Sequence, residues 1–281
     1  MEKVTVGDSY FQELYFSIQE NAYCNALFSQ DMQPDFEWSP VLNHSLNKKI
    51  FDILNNRGFV LVSIEANTDI HNITTWQNKF LGLSMEDRGH DKGFYSTVMA
   101  EKDGKFFVNS NLTQPIHTDE GHTSLLPRYI SLYCKTSSTY GGITTLVDSA
   151  KLIKILENDF GNKMQYLFDK EAIQVRNVSG CESKNILMLL PDGRTGISYS
   201  PILRELTCNK TIFEMYSVIT KYVHDPLNQI RFKLAKNHLL ILDNCRVLHG
   251  RTKFLISDDR ILYRMWFSKC RLNSELMDLA V

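Results

Sequence analysis

Four things are missing from this sequence, and each absence removes a class of protein. Neither charge is in excess: 31 Lys and Arg stand against 32 Asp and Glu, a formal net charge of −1. A chain balanced in this way offers no electrostatic footprint for nucleic acid or an anionic membrane. No apolar run reaches the length of a membrane span, and the opening Met1-Glu2-Lys3 starts no secretory signal. No CxxC pair occurs: Cys24, Cys134, Cys181, Cys208, Cys245 and Cys270 are scattered. That spacing points to reduced thiols in a cytoplasmic protein, and Cys245 and Cys270 read as small buried hydrophobes rather than nucleophiles. Finally, no internal repeat, low-complexity tract or linker interrupts the chain, so residues 1–281 read as a single domain. Its length and its 43% hydrophobic content are enough for a substantial core.

The first part of the chain reads as helical, to about residue 57. Asp8-Ser9 caps a short helix through Tyr15 and Ile18, and Pro34 and Pro40 bracket an irregular link. Ser45-Leu46-Asn47 leads into KKIFDILNN, with Ile50, Phe51, Ile53 and Leu54 as an apolar stripe that stops near Arg57-Gly58. Phe59 to Val62 is a short strand, Asn72 to Leu83 a second helix, and Arg88 to Lys105 a loop. From Phe106 onward, strand-like runs recur between turn signals: FFVNS, RYISLYC, ITTLV, AIQVRN, NILMLL, GISYS, HLLIL, RVLHG and RILYRMWF. Helices over Ser149 to Phe160, capped by Asp148 or Ser149, and over Thr211 to Val223 interrupt them. Many short strands at close intervals predict a sandwich or barrel rather than a doubly wound sheet.

The chemistry concentrates in Pro115-Ile116-His117-Thr118-Asp119-Glu120-Gly121. On an extended backbone residues i and i+2 point the same way, so His117 and Asp119 can reach one ion. An HxD triplet alone is common by chance. The third ligand has its best candidate in Val247-Leu248-His249-Gly250-Arg251. Two histidines and one carboxylate suit non-haem Fe(II), leaving positions for a chelating co-substrate and O2.

Further on, Arg260, Leu262, Arg264 and Trp266 share one face of a strand, with Ile261, Tyr263, Met265 and Phe267 on the other. One reading leaves the arginines in solvent over a packed apolar face. The other turns them into a barrel, where a buried guanidinium needs an anion and its fork suits a carboxylate. Thr144, after Gly141-Gly142, offers a hydroxyl to the same anion or is plain strand filler.

The set HTD, YGGITTLVDS, LDNCRVLHGR and an arginine eleven residues past the last histidine resembles the taurine dioxygenase, γ-butyrobetaine hydroxylase and clavaminate synthase superfamily of Fe(II)/2-oxoglutarate oxygenases. The similarity runs from about Gly58 to Phe267 and includes GRTGISYS at 193–200. The resemblance implies a mainly β fold with flanking helices, a double-stranded β-helix or jelly roll, its core over about 58–269 after a helical portion of about 1–57. It implies that His117, Asp119 and His249 bind iron, that Arg260 with Thr144 anchors the far carboxylate of 2-oxoglutarate, and that Arg264 meets an anionic group of the substrate. Arg251 reads as a supporting or structural residue, or else as a further contact for a substrate carboxylate or sulfonate, and the carboxylate at Asp119 disfavours halogenation.

The implied reaction hydroxylates or desaturates a C–H bond of a small, carboxylate-bearing, amino-acid-like or zwitterionic metabolite, with O2 consumed and succinate and CO2 released. Natural-product biosynthesis is one setting for it. The chain would then work on a small molecule without nucleic acid or membrane, and a homo-oligomer stays open. Two other classes remain at this stage: an oxygenase of a carrier-bound or macromolecular substrate, and a non-catalytic jelly-roll metal-binding protein.

Overall fold

Short side chains that accept a hydrogen bond open three of the helices. Asp69 takes the amide of His71 at 2.8 Å, Asp148 that of Ala150 at 3.0 Å and Asn209 that of Ile212 at 2.9 Å. The computed structural model describes residues 2–24, 29–40, 46–85, 95–102, 104, 107–178 and 180–271. In chain order these form β1 (Lys3–Val6), α1 (Asp8–Cys24), β2 (Phe36–Trp38), α2 (Leu46–Arg57), β3 (Phe59–Ile64) and α3 (Ile70–Leu81). Then come β4 (Ser84–Met85), β5 (Ser96–Met99), β6 (Gln114–His117), β7 (Leu125–Thr136), β8 (Ile143–Asp148) and α4 (Ser149–Phe160). A run of short strands follows: β9 (Ile173–Asn177), β10 (Gly180–Lys184), β11 (Leu187–Leu189), β12 (Thr195–Ile197) and β13 (Glu205–Asn209). The chain continues with α5 (Lys210–His224), β14 (Ile230–Lys233), β15 (His238–Asp243), β16 (Val247–Arg251) and β17 (Ile261–Arg271).

Two sheets make the jelly roll. The major one has seven strands in the order β2-β3-β15-β7-β17-β4, with β5 also on β17; the minor one runs β14-β8-β16-β6. Alternation along each strand sorts the apolar side chains into layers. Phe59, Leu61, Leu240, Leu242, Leu262 and Trp266 of the major sheet meet Leu146, Phe232 and Val247 of the minor sheet between the two. Val60, Val62, Leu239, Ile241, Met265 and Phe267 face outward onto α2 and α3. Behind the minor sheet, Ile116, Val147 and Leu248 pack with α4 and α5. Arg246 ties the helical portion to the core, donating to both Asp148 oxygens at 3.0 and 2.8 Å and to the Asn55 and Asn56 carbonyls.

Several sequence expectations need correction. FFVNS is a 3-10 turn at Phe107–Asn109 rather than a strand. The link between the two prolines contains β2, which lies parallel to β3, and the loop expected over 88–105 contains β5. Both strands gain ladder partners from far along the chain, a tertiary effect that local pattern does not carry. The second helix starts two residues earlier than expected, at its Asp69 cap. GISYS keeps only its first two residues in β12. The remainder of the 88–105 expectation (88–94, 103 and 105), Phe106, Ser45 and the side chains of Cys24 and Cys270 lie outside the described residues. Cys245 is the small buried hydrophobe expected of it, packed with Leu126, Met188 and Leu190. Among the described residues no helix is long and apolar enough to cross a membrane.

Leu240 is 0% exposed at the centre of the layer between the sheets. Leu240→Ala should therefore cost about 2–5 kcal/mol. In a urea titration the midpoint should fall with the slope unchanged.

Candidate metal centre

The minor sheet sets His249 of β16 directly opposite His117 of β6. Their rings lie 4.5 Å apart between centroids. Asp119 follows just beyond the end of β6, in a turn rather than on the strand as the spacing suggested. Its carboxylate comes back to the pair all the same: Oδ1 is 3.2 Å from His117 Nε2 and 3.7 Å from His249 Nε2. One donor atom from each of the three residues falls within 4.8 Å of the others, and all three residues are buried. Cis ligands at about 2.1 Å from an ion stand roughly 3 Å apart. The donor set fits a divalent first-row cation such as Fe(II).

His117 and Asp119 are aimed by neighbours, whereas the Nδ1 of His249 is buried without a hydrogen-bond partner among the described residues. His117 Nδ1 lies 2.8 Å from the Pro115 carbonyl, which places the ring proton on Nδ1 and leaves Nε2 as the donor. Trp266 Nε1 donates to Asp119 Oδ2 at 2.8 Å, so Oδ1 is the oxygen left for a cation. Arg264 Nη1 reaches both carboxylate oxygens at 3.4 Å while its guanidinium lies 4.7 Å from the Trp266 ring. Burial disfavours the Asp119 charge, but Arg264, His117 and His249 outweigh it and hold the carboxyl well below the usual range. Burial, with His117 adding repulsion, pushes His249 down to about 3, so it is the neutral imidazole a metal requires.

The turn carrying Asp119 is locked from three sides. Asn244 accepts the Asp119 amide at 2.9 Å and donates to the carbonyls of Asp119 and Pro127 at 3.1 and 2.9 Å. The Thr118 amide bonds the Tyr199 carbonyl at 2.8 Å. Gly121 closes the turn where a Cβ would stand 2.6 Å from the Tyr199 oxygen, so only glycine fits. Lys184, 0% exposed, donates to the Gly121 carbonyl and to Ser198 Oγ. Asn244, Trp266 and Lys184 are given no role in the site by the sequence reading. The first two sit inside quoted motifs; nothing local marks Lys184.

A cavity beside the metal donors is lined by Gln114, Thr144, His249, Arg251, Arg260 and Arg264, with Val98, Val108, Leu132 and Leu262 as its apolar wall. The structure thus brings Thr144, Arg260 and Arg264 to the metal donors and turns the arginine face of β17 inward. Leu262 and Trp266 on that face are core, and so are Met265 and Phe267 on the other, which removes the solvent-facing reading. At Gly142, φ +62, an added Cβ would press on Ser138 Oγ and stand 3.2 Å from Arg260 Nε. The glycine makes room for the arginine. Burial lowers Arg260 to about 10. A larger cavity of about 680 Å³ lies behind the minor sheet against α1 and α5, and neither Asp119 nor Arg260 lines it.

Comparison with known proteins agrees with this geometry. The model of the taurine catabolism dioxygenase TauD, TfdA family matches residues 22–266. Among solved structures, asparagine oxygenase in complex with Fe(II), 2S,3S-3-hydroxyasparagine and succinate superposes with a TM-score of 0.64 at 13% identity, covering 91% of each chain. The non-haem iron oxygenase OrfP, with Fe, succinate and (3S)-hydroxy-L-Arg, gives 0.64 at 11% identity over 94% of this chain and 87% of that one. A taurine dioxygenase from Burkholderia xenovorans gives 0.59 at 16% identity over 80% and 82%.

Burial pushes the Lys184 ammonium down to about 7, against about 10.4 in an unfolded chain. Between those values the unfolded state binds the extra proton, so this residue's contribution to stability rises with pH. Relative to Lys184→Met, the wild type should gain up to about 1.4 kcal/mol per pH unit from pH 7.5 to 9.5. Urea unfolding of both proteins across that window would measure it, and parallel profiles would contradict a buried, titrating lysine.

Proposed function

We propose a reaction for this chain on a plain premise: it belongs to the taurine catabolism dioxygenase TauD/TfdA family and is an Fe(II)/2-oxoglutarate-dependent oxygenase. Its substrate is a small amino-acid-like metabolite bearing a carboxylate, oxidised at a C–H bond by hydroxylation or desaturation. The observation that carries this reading is the convergence of His117, Asp119 and His249 beside a cavity that also holds Arg260 and Thr144. Relatives of the same fold are recorded with hydroxyasparagine or hydroxyarginine beside iron and succinate, which supports an amino acid as substrate. Another, PvcB, is an oxygenase from an isonitrile synthetic pathway, which supports a natural-product setting. The chain is read as one oxygenase domain, its helical portion about 1–57 and its jelly-roll core about 58–269.

When bound, Fe(II) with 2-oxoglutarate supplies the oxidising power, consuming O2 and releasing succinate and CO2. The chain's own residues supply aim and enclosure. His117, Asp119 and His249 would hold the ion, with its remaining positions left to co-substrate and O2. Arg260 and Thr144 receive the far carboxylate of 2-oxoglutarate. Arg264, already against Asp119, would meet the acid group of the substrate. Val98, Val108, Leu132 and Leu262 exclude water from the reacting atoms. A carboxylate at 119 fills the position a halide would need, so oxidation rather than halogenation is the outcome.

The direct test is succinate formation from 2-oxoglutarate with Fe(II), against a panel of amino acids, betaines and sulfonates, with mass spectrometry of the partner compound. An amino acid that stimulates succinate and gains one oxygen, or loses two hydrogens, is the expected result. Asp119→Ala should abolish stimulated turnover and weaken Fe(II) binding by at least about tenfold. Its circular dichroism should be unchanged. Wild-type turnover in that variant would end the metal assignment.

A further inference from the structure

Arg251 is two residues past His249 on β16, so its side chain leaves the same face of the strand. In the ladder it stands directly opposite Thr144 of β8 and opposite Gln114 of β6. The minor sheet therefore presents two successive rows to the interior. One holds His117 and His249; the next, about 7 Å along the strands, holds Thr144, Arg251 and Gln114. Arg260 closes the second row from β17's side, and the Phe254 ring lies 4.8 Å from the Arg251 guanidinium and 5.3 Å from that of Arg260.

Two guanidiniums are thus buried side by side, each 5% exposed. Neither forms an ion pair with a carboxylate among the described residues. Arg251 Nη2 is used structurally, on the carbonyls of Phe107 and Ser110 at 3.1 and 3.0 Å. Its Nη1 is buried with no hydrogen-bond partner. An unmatched donor of this kind is costly in a folded interior unless an anion arrives to meet it.

We infer that Arg251 is a second contact for the far carboxylate of the oxo-acid co-substrate, so that this group is held between two guanidiniums and the Thr144 hydroxyl. The inference rests on the 2-oxoglutarate reading of the cavity and adds to it. Arg251 then does two jobs: Nη2 draws the 107–110 turn, and with it the cavity-wall residue Val108, over the co-substrate, while Nη1 reads its charge.

The test compares 2-oxoglutarate with 2-oxopentanoate, which keeps the chelating oxo acid and lacks the far carboxylate. Dissociation constants are taken by calorimetry on Mn(II)-loaded protein without O2, for wild type, Arg251→Gln and Arg260→Gln. Arg251→Gln should lower the preference for 2-oxoglutarate by about tenfold or more. Its affinity for 2-oxopentanoate should stay within about threefold of wild type, because the metal end is untouched. A variant that merely loosened the turn would weaken both acids equally, and that result overturns the inference. If Arg260→Gln collapses the preference and Arg251→Gln leaves it intact, the inference fails and the co-substrate reading stands. If neither variant changes it, both fail. Should Arg251→Gln not fold, Arg251→Lys serves in its place: it keeps the charge and loses the fork, and a preference between wild type and Arg260→Gln is the supporting result. A wild-type preference there counts against the contact.

Discussion

The antiparallel register that sets His249 opposite His117 is the constraint on which the site depends, because each other group is located relative to that pair. Side chains on a strand alternate with a period of two, so a slip of one residue would send His249 outward to where Leu248 now packs against the helices. What resists the slip is burial on both faces. Ile116, Val147 and Leu248 are committed to the outer cluster, Leu146 and Val247 to the inner one. Apolar patterning thereby fixes the register, and the register fixes the metal donors. The Asn244 amide then holds the turn that brings Asp119 round to them.

Around that pair the interior carries more ionisable groups than a core tolerates by default. Asp119 is the carboxylate of the centre, and Arg264 and Trp266 both act on it. Lys184 holds the far end of the same turn at a carbonyl, and its burial is why its proton is loosely held. Arg251 and Arg260 stand one row further in. Placed together by folding, these groups form a polar site whose reorganisation is largely completed before any ligand arrives, the condition under which buried electrostatics act most strongly.

Much of this was legible in the chain. The two histidines, Asp119, Thr144 and Arg260 are drawn together as their motifs implied, and the α4 and α5 helices run to within a residue or so of their apolar stripes. The misses have common causes. β1 gains its ladder only from β13, more than 200 residues on, Lys3 opposite Asn209, while β13 in turn lies between β1 and β9. β5 lies in charged sequence and becomes a strand because β17 offers it a ladder. FFVNS looks like a strand by composition, yet Arg251 takes the carbonyls of Phe107 and Ser110 and holds the segment as a turn. Lys184 is invisible for a different reason: a lone lysine near a glutamate reads as surface, and only the closed fold shows it at 0% exposure.

The position of Arg264 raises a question of competition that the charges themselves answer. In the protein alone, Arg264 lies against Asp119, and its charge is the largest single influence keeping that carboxylate ionised. A divalent cation among His117, Asp119 and His249 draws on the same negative charge at shorter range and with twice the positive charge. Coulomb's law then weakens the attraction of Arg264 to the centre, in a region where little water screens it. Arg264, stacked on Trp266, then favours an anion close to the metal site. On the proposed reading a substrate acid group would meet Arg264 there, with its carbon skeleton beside the ion. Loading the metal would thus prepare the substrate position through one arginine, and a substrate lacking the acid would find that position electrostatically unfavourable.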